Sequence, residues 1–288
     1  MTKQRETNPE AAVDAEDLSS YVGTHPSCAT TWLAAVDHVG VNKSKHNVLM
    51  TVENPIDHSE IDNQAITIVD QALRRADKSI VTVANTIFPQ RIYDKHGGEG
   101  FYDAVRRLEP TLVRPTDWGR YFSRLIRAPA VEGGEVDHDH NRLDALIREL
   151  KKHAAARAEG KGPKKYRFEL EVPPPATTEI TVHAAGKDRR QLSGPCLSHL
   201  SFQPHPSRGL MLTAVYRNHY YIERLLGNLI GLGRLMRFVA NESGLSEVGP
   251  LTCLSAHAEV ETSTKIKAPE VREMIEQVRG TFAGASNE

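Results

Sequence analysis

The segment YIERLLGNLIGLGRLMRFVANE, from Tyr221 to Glu242, constrains this chain most, because it reads as a long helix that is apolar on more than one side. A helix of that kind has no polar face broad enough to meet water, so it must lie inside a domain under other elements. The runs able to cover it are of two kinds. HLSFQPH and LMLTAVYR before it, and SAHAEVE after it, are short and β-like. Upstream, NRLDALIRELKKHAAA (Asn141–Ala156) places Leu143, Leu146, Ile147 and Leu150 on one helical stripe and ends in basic residues that suit the helix dipole.

Between those helices RAEGKGPKK (Arg157–Lys165) breaks the pattern, and YRFELEV (Tyr166–Val172) alternates as a half-buried strand does until the prolines at 173–175 end it. TEITVHA is a further β-like run. Nearer the N-terminus, IDNQAITIVDQALRRA (Ile61–Ala76) has helical spacing, SIVTVANTIF reads as a strand, and GFYDAVRRL (Gly100–Leu108) as a second helix. The order helix, strand, helix, strands, buried helix, strand predicts an α+β fold rather than a regular βαβ repeat. Residues 1–20 carry almost no large apolar side chain and predict a flexible arm. One domain over 21–270 and a C-terminal helix with a flexible tail over 271–288 complete the expected layout.

Composition narrows the function. With 288 residues and 39% hydrophobic content the chain can build a real core. Its 36 basic and 37 acidic residues nearly cancel, which argues against an electrostatic nucleic-acid binder and for a small-molecule or protein partner. Three cysteines, with no cationic and apolar leader, predict free thiols in a reducing, cytoplasmic compartment. No apolar run approaches the roughly 20 residues that span a bilayer.

The residues that could carry chemistry cluster late. Cys196 follows a proline in SGPCLSHL, Arg217 ends LTAVY with Asn218 after it, and Asn228 comes eleven residues after Arg217 inside the buried helix. His257 stands forty residues after Arg217, and alternation puts Glu259 and Glu261 on its side of the strand. A thiolate is both a strong nucleophile and a good leaving group, and a guanidinium fork fits a phosphate. Each residue also has a plainer reading. Cys196 can be a small buried hydrophobe, Arg217 a strand-end cation reaching water, Asn228 a group satisfied inside the fold, and Glu259 an exposed strand residue. DHDH (Asp137–His140) precedes a helix and reads as N-terminal capping rather than a metal site. Cys28 and Cys253 have no reactive context.

The Pro-Cys dipeptide with an Arg, an Asn eleven residues later and a His about forty later resembles the thymidylate synthase superfamily. NRLDALIRELKKH looks like that family's Asp-Gln-Leu helix, YRFELEV like the strand after its Arg-Arg pair, and WGRYFSRL (Trp118–Leu125) is similar to its Gly-x-Val-Tyr-Gly stretch. The resemblance covers roughly residues 57–261 and is that of a divergent member, similar to thymidylate synthases and pyrimidine nucleotide hydroxymethylases. It implies a mixed sheet with a long buried helix and a homodimer formed through that sheet. It also implies transfer of a one-carbon unit from 5,10-methylene-tetrahydrofolate to C5 of a pyrimidine nucleotide, with Cys196 adding at C6. By the same resemblance Arg217 and Asn218 hold phosphate, Asn228 reads the base, and His257 and Glu259 hold the sugar. Arg167, beside Lys164 and Lys165, would complete the phosphate site of a partner subunit. Lys45 and His46 in NKSKHN would serve as an early phosphate loop.

The chain departs from the family at several points. Asn218 stands where the family has Ser, Tyr220 where it has Asp, and Glu259 where it has Tyr. No carboxylate fills the place of its catalytic Glu, where VANTIFP (Val83–Pro89) offers Asn85, with Asp94 and Glu99 as stand-ins from a neighbouring loop. The C-terminal segment lacks the apolar end that closes over folate. Methylation needs a site closed to water, so these departures favour hydroxymethylation. The alternative is a protein of the same fold that binds or senses a nucleotide without turning it over. A carboxylate at Glu259 suits a ribonucleotide; the base and the number of phosphates stay open.

Overall fold

The computed structural model describes residues 20–112, 120–126, 130–132, 135–137, 140–159, 168–171 and 195–285. The predicted arm up to residue 19, the run TEITVHA and the basic residues Lys164, Lys165 and Arg167 lie outside them. The chain opens with strand β1 (Ser20–His25), helix α1 (Cys28–Val39) and strand β2 (Ser44–Val52). Helices α2 (Glu60–Arg74), α3 (Ile80–Ile87), α4 (Gln90–Leu112) and α5 (Tyr121–Ile126) follow, then a small hairpin of β3 (Ala130–Glu132) and β4 (Glu135–Asp137) and helix α6 (Arg142–Ala158). The second half contains β5 (Glu169–Glu171), β6 (Leu197–His205), β7 (Gly209–Tyr216) and β8 (His219–Tyr220). A π-helical turn (Tyr221–Leu225) then leads into α7 (Leu226–Ser243), β9 (Val248–Glu259) and α8 (Ala268–Ala285). The fold is α+β around a mixed open sheet, as the order of elements predicts.

The main sheet runs β1-β2-β9-β7-β6-β5, with β8 continuing beside β9. β1 is parallel to β2 and β7 to β9, while the β2–β9, β6–β7 and β5–β6 pairs are antiparallel. Alternation decides which face meets the helices. Val48, Met50 and Val52 on β2, Leu212, Ala214 and Tyr216 on β7, and Leu251, Cys253 and Ser255 on β9 are all buried. Their neighbours Leu49, Thr51, Met211, Thr213, Val215, Thr252 and Leu254 are only half-buried.

Helix α7 lies against the buried face and is enclosed on almost every side, from Leu226 to Ser243. Its close approach to the chain at Pro55 needs Gly233, since a Cβ there would sit 2.0 Å from the Pro55 carbonyl oxygen. Trp32 of α1 ties into the same region by donating its indole N–H to the Tyr221 carbonyl at 2.8 Å. Helix α6 begins at Asn141, whose side chain accepts from the Asp144 N–H.

Three sequence expectations change. SIVTVANTIF is not a strand: Ile80–Ile87 forms α3, and its buried side Ile80, Val83, Ala84 and Ile87 has helical spacing. Its β-branched residues favour strand as local propensity, but packing against α7 decides the outcome. The helix expected at Gly100–Leu108 is longer, Gln90–Leu112, and kinks at Gly97 with φ 66°. Asp94 and Glu99 therefore lie within a helix rather than in a loop. Finally, the first turn of the helix expected from Tyr221 is π-helical.

Candidate active site

Cys196 immediately precedes β6, and the loop that carries it is tied from both sides. Its N–H and that of Leu197 donate to the Tyr121 hydroxyl oxygen at 3.2 and 3.4 Å. Its carbonyl accepts from the Arg217 N–H at 2.9 Å, and the Arg217 Nε–H donates to the Pro195 carbonyl at 3.0 Å. The sheet thus places Cys196 beside Arg217 across the β6–β7 pair, where Leu197 is opposite Tyr216. The bond to Pro195 uses one of the five donors of the guanidinium.

The thiol is half-buried. Burial pushes its pKa up, and the charges of Arg217 and Arg224 oppose that rise without reversing it. Cys196 therefore rests as a neutral thiol flanked by two cations. The Tyr121 phenol is itself pushed up to about 12, first by burial and then by the charge Cys196 would carry. Arg224 is exposed on the π-helical turn. Cys28 and Cys253 are fully buried, and burial raises both thiols out of reach of neutral pH.

A second group forms at the far end of β9. The His257 Nδ1 lies 2.6 Å from the Asn218 Oδ1, which fixes the ring, and the His46 ring stands 5.2 Å away. His46 and His257 are direct partners in the β2–β9 ladder. Lys45 points elsewhere. Asn47 is left-handed at φ 50° and the alternation of burial breaks there; Lys45 is the ladder partner of the buried Ala258, and its charge acts on His38 of α1. Burial and then the Lys45 charge lower the His38 pKa. The cation that joins His257 is Lys43, which with Asn42, Ser44, Glu259, Glu261 and Thr262 lines a cavity of about 330 Å³.

Glu261 accepts the N–H groups of Ile222 and Glu223 at 3.2 and 2.7 Å, at the start of the π-helical turn. Burial nevertheless pushes its carboxyl up to about 7, so it takes up a proton more readily than an ordinary glutamate. Glu259 ends β9 opposite Ser44, on the same cavity wall as His257.

Asn228 is 3% exposed and its Nδ2 lies 2.9 Å from the His219 Nε2. His219, 1% exposed, reaches the Ser255 Oγ at 3.0 Å through Nδ1, and the Tyr221 hydroxyl donates to the same oxygen at 3.2 Å. The internal partner that a buried carboxamide requires is therefore His219. Asn85, on α3, has its Oδ1 3.5 Å from the Arg234 Nη1, and Asp94 accepts from Gln90 at 2.7 Å. Arg167 is outside the described residues.

Of the residues singled out from the sequence, Cys196 and Arg217 come together, as do Asn218, His257, His46 and Glu259. Lys45 does not join them. Tyr121, Arg224, Lys43 and His219 are the site residues that sequence reasoning missed. Two of them had a signal, Tyr121 in the WGRYFSRL stretch and Lys43 in NKSKHN. Among the described residues no three His, Cys, Asp or Glu side chains converge as a metal ion would require, and no helix is long and apolar enough to cross a membrane.

No protein-family model matches this chain, and neither does any curated protein. The fold and site define an α+β protein with a half-buried thiol on a loop tied by Tyr121 and Arg217 at one edge of the β6–β7 pair of a mixed sheet.

Proposed function

We propose that this chain is a divergent thymidylate-synthase-like transferase that modifies C5 of a pyrimidine nucleotide, with hydroxymethylation favoured over methylation. The observation that carries the reading is the joint anchoring of Cys196 by Tyr121 and Arg217, which sets a nucleophile beside a guanidinium suited to a phosphate. Cys196 adds to C6 as the thiolate, which makes C5 nucleophilic; the folate, when bound, would supply the electrophilic one-carbon unit and water its hydroxyl, and loss of the C5 proton with elimination at C6 returns the thiolate. Arg217 binds the phosphate and, with Arg224, favours the ionised sulfur. Binding a dianion next to these cations weakens their pull on the thiol. The one-carbon donor is 5,10-methylene-tetrahydrofolate by family resemblance alone, and its contact residues are unassigned.

The cavity at the end of β9 suits the sugar. His257, locked by Asn218, offers its other ring nitrogen, and Glu259 offers a carboxylate that accepts hydroxyl donors. A ribose presents two such donors where a deoxyribose presents one.

The same reading includes a homodimer formed through the sheet. Its outer face carries two ladders of uncharged side chains across the strands, Leu49–Leu254–Val215 and Thr51–Thr252–Thr213–Ser201. The two threonine hydroxyls at 51 and 252 are 3.3 Å apart. Half-buried leucine and valine beside short hydroxyl side chains make a flat surface that a second copy can cover.

A second reading, a nucleotide-binding or sensor protein without turnover, is favoured by one observation. Burial outweighs two arginines and keeps the Cys196 thiol protonated, while Asn85 stands in place of a carboxylate. Tritium release from C5-labelled CMP, UMP, dCMP and dUMP, with and without methylene-tetrahydrofolate, separates the two. Folate-dependent release from any one of them supports the transferase. Binding without release from any of the four supports the sensor.

A further inference from the structure

Tyr216 ends β7 one residue before Arg217, yet no step above uses it. Its side chain is 0% exposed, and its hydroxyl has no hydrogen-bond partner among the described residues. A buried hydroxyl left so is a standing cost to the fold, and native proteins keep few of them. Tyr221, buried nearby, shows the usual solution, since its hydroxyl donates to the Ser255 Oγ at 3.2 Å.

The strand pairing places Tyr216 against the loop of Cys196. Its β6 partner is Leu197, the residue after Cys196, and the next residue, Arg217, donates its N–H to the Cys196 carbonyl at 2.9 Å. Its ring is stacked on His219 with centroids 4.0 Å apart and planes 11° from parallel, which fixes the plane of the phenol. His219 offers the hydroxyl nothing, because its Nδ1 is engaged with the Ser255 Oγ and its Nε2 with the Asn228 carboxamide. Burial, and then the charges that Tyr121, Cys253 and Cys196 would carry, push the Tyr216 phenol far up, so it keeps its proton.

Those three groups differ as acceptors. The Tyr121 oxygen already accepts the N–H groups of Cys196 and Leu197. Cys253 is fully buried with its thiol pushed up to about 12, and a neutral thiol accepts only weakly. Cys196 is half-buried, and Arg217 and Arg224 both favour its ionised form. It alone can change from a weak acceptor to a strong one.

We propose that the Tyr216 hydroxyl is the hydrogen-bond donor for the Cys196 thiolate: it stands unpartnered while the sulfur is a thiol and donates to the sulfur once that proton has left to solvent. A hydrogen bond made to the ionised form alone lowers the pKa of the group that forms it. The donor is neutral, so a phosphate bound at Arg217 does not compete for it. Tyr216 keeps its own proton throughout and is not a base. The inference rests on Cys196 as the nucleophile of the reaction proposed above, but its test needs no nucleotide.

Tyr216→Phe removes the hydroxyl and keeps the ring. The rate of alkylation by iodoacetamide is followed against pH in the wild type and the variant, with Cys196 identified as the modified residue by peptide mass. The midpoint is expected to rise by about 1–2 pH units in Tyr216→Phe, the effect of losing a hydrogen bond to a charged group. The urea midpoint at neutral pH is expected at or above that of the wild type, because an unpartnered hydroxyl gives the resting fold nothing that phenylalanine lacks. An alkylation midpoint that stays in place or moves down overturns the inference. A less stable variant also overturns it, since the hydroxyl would then have a partner in the resting fold. A raised midpoint with no tritium release from any nucleotide would overturn the transferase and leave the role of Tyr216 standing.

Discussion

The Arg217 side chain and the Pro195 carbonyl are joined by a 3.0 Å hydrogen bond, so the cation beside Cys196 is fixed to the very loop that carries the thiol. Moving one moves the other. The arginine therefore affects both the reactivity of the cysteine and the binding of an anion, and the two effects can be measured apart.

Reactivity is read from alkylation. Because burial raises the Cys196 pKa above that of an ordinary thiol, its rate of reaction with iodoacetamide should rise at higher pH than that of a free cysteine. Arg217→Ala removes the larger of the two opposing charges and should shift the profile further up. A profile that moves down or stays in place would show that Arg217 has no influence on the sulfur. Cys196→Ser should abolish C5 tritium release while leaving nucleotide affinity within a few-fold.

Anion binding is read from affinity. Arg217→Ala should weaken a nucleoside monophosphate by on the order of 2–3 kcal/mol and its nucleoside hardly at all. Equal losses by calorimetry would remove the phosphate from Arg217.

The sugar is tested at Glu259. Ribonucleotides should bind more tightly than deoxynucleotides by roughly 1–3 kcal/mol, and Glu259→Gln should narrow the gap. Calorimetry with CMP against dCMP and UMP against dUMP decides it, since equal binding of both sugars would leave Glu259 a plain cavity-wall residue.

Stability should fall in acid because of His219. Its folded pKa is lowered from the usual 6.5 to about 3 by burial, so between those values the unfolded chain holds a proton that the native chain refuses. The contribution is therefore complete above pH 6.5 and is lost as pH drops toward 3, by up to on the order of 4 kcal/mol. Urea unfolding at pH 7.5, 6 and 5 should show a steeper loss for the wild type than for His219→Leu; parallel curves would mean that the imidazole is not the titrating group.

Association is tested at the outer ladders. The wild type should scatter light as a dimer at micromolar concentration, and Leu254→Lys, at the centre of one ladder, should give a monomer of unchanged helical content. A wild-type monomer would set aside the shared interface.

Much of the layout was legible in the sequence because local signals and packing agree there. Leu143, Leu146, Ile147 and Leu150 are all buried along α6, as their spacing indicates, but its cap is Asn141 rather than a residue of the DHDH run read as the cap. The all-round apolar character of α7 is likewise matched by its enclosure. Where they disagree the sequence misleads. Ile80, Val81 and Val83 favour a strand, and only the surface of α7 makes them a helix. The site was half legible for a related reason. Cys196 and Arg217 flank the two strands of the β6–β7 hairpin, so their spacing reflects that hairpin. Tyr121 arrives from 75 residues away by tertiary packing, which leaves no periodic trace. Lys45 shows the limit of alternation: burial alternation breaks at the left-handed Asn47, the expected phosphate ligand pairs with the buried Ala258, and nothing in NKSKHN announces it.

The π-helical turn at Tyr221–Leu225 has a consequence for how this chain can vary in length. It stands between Arg217 and Asn228 and holds an extra residue within its first winding. Deleting one residue there would let the turn relax to ordinary α-helix with the downstream residues kept in phase, whereas adding one residue to the α-helix between it and Asn228 would rotate everything downstream by roughly 100°. Asn228 would swing away from His219, and Gly233 would leave the Pro55 carbonyl, both at once. The eleven-residue interval between Arg217 and Asn228 is thus a phase relation between strand and helix, and a single insertion within it should be far less tolerated than a single deletion at the π-helical turn.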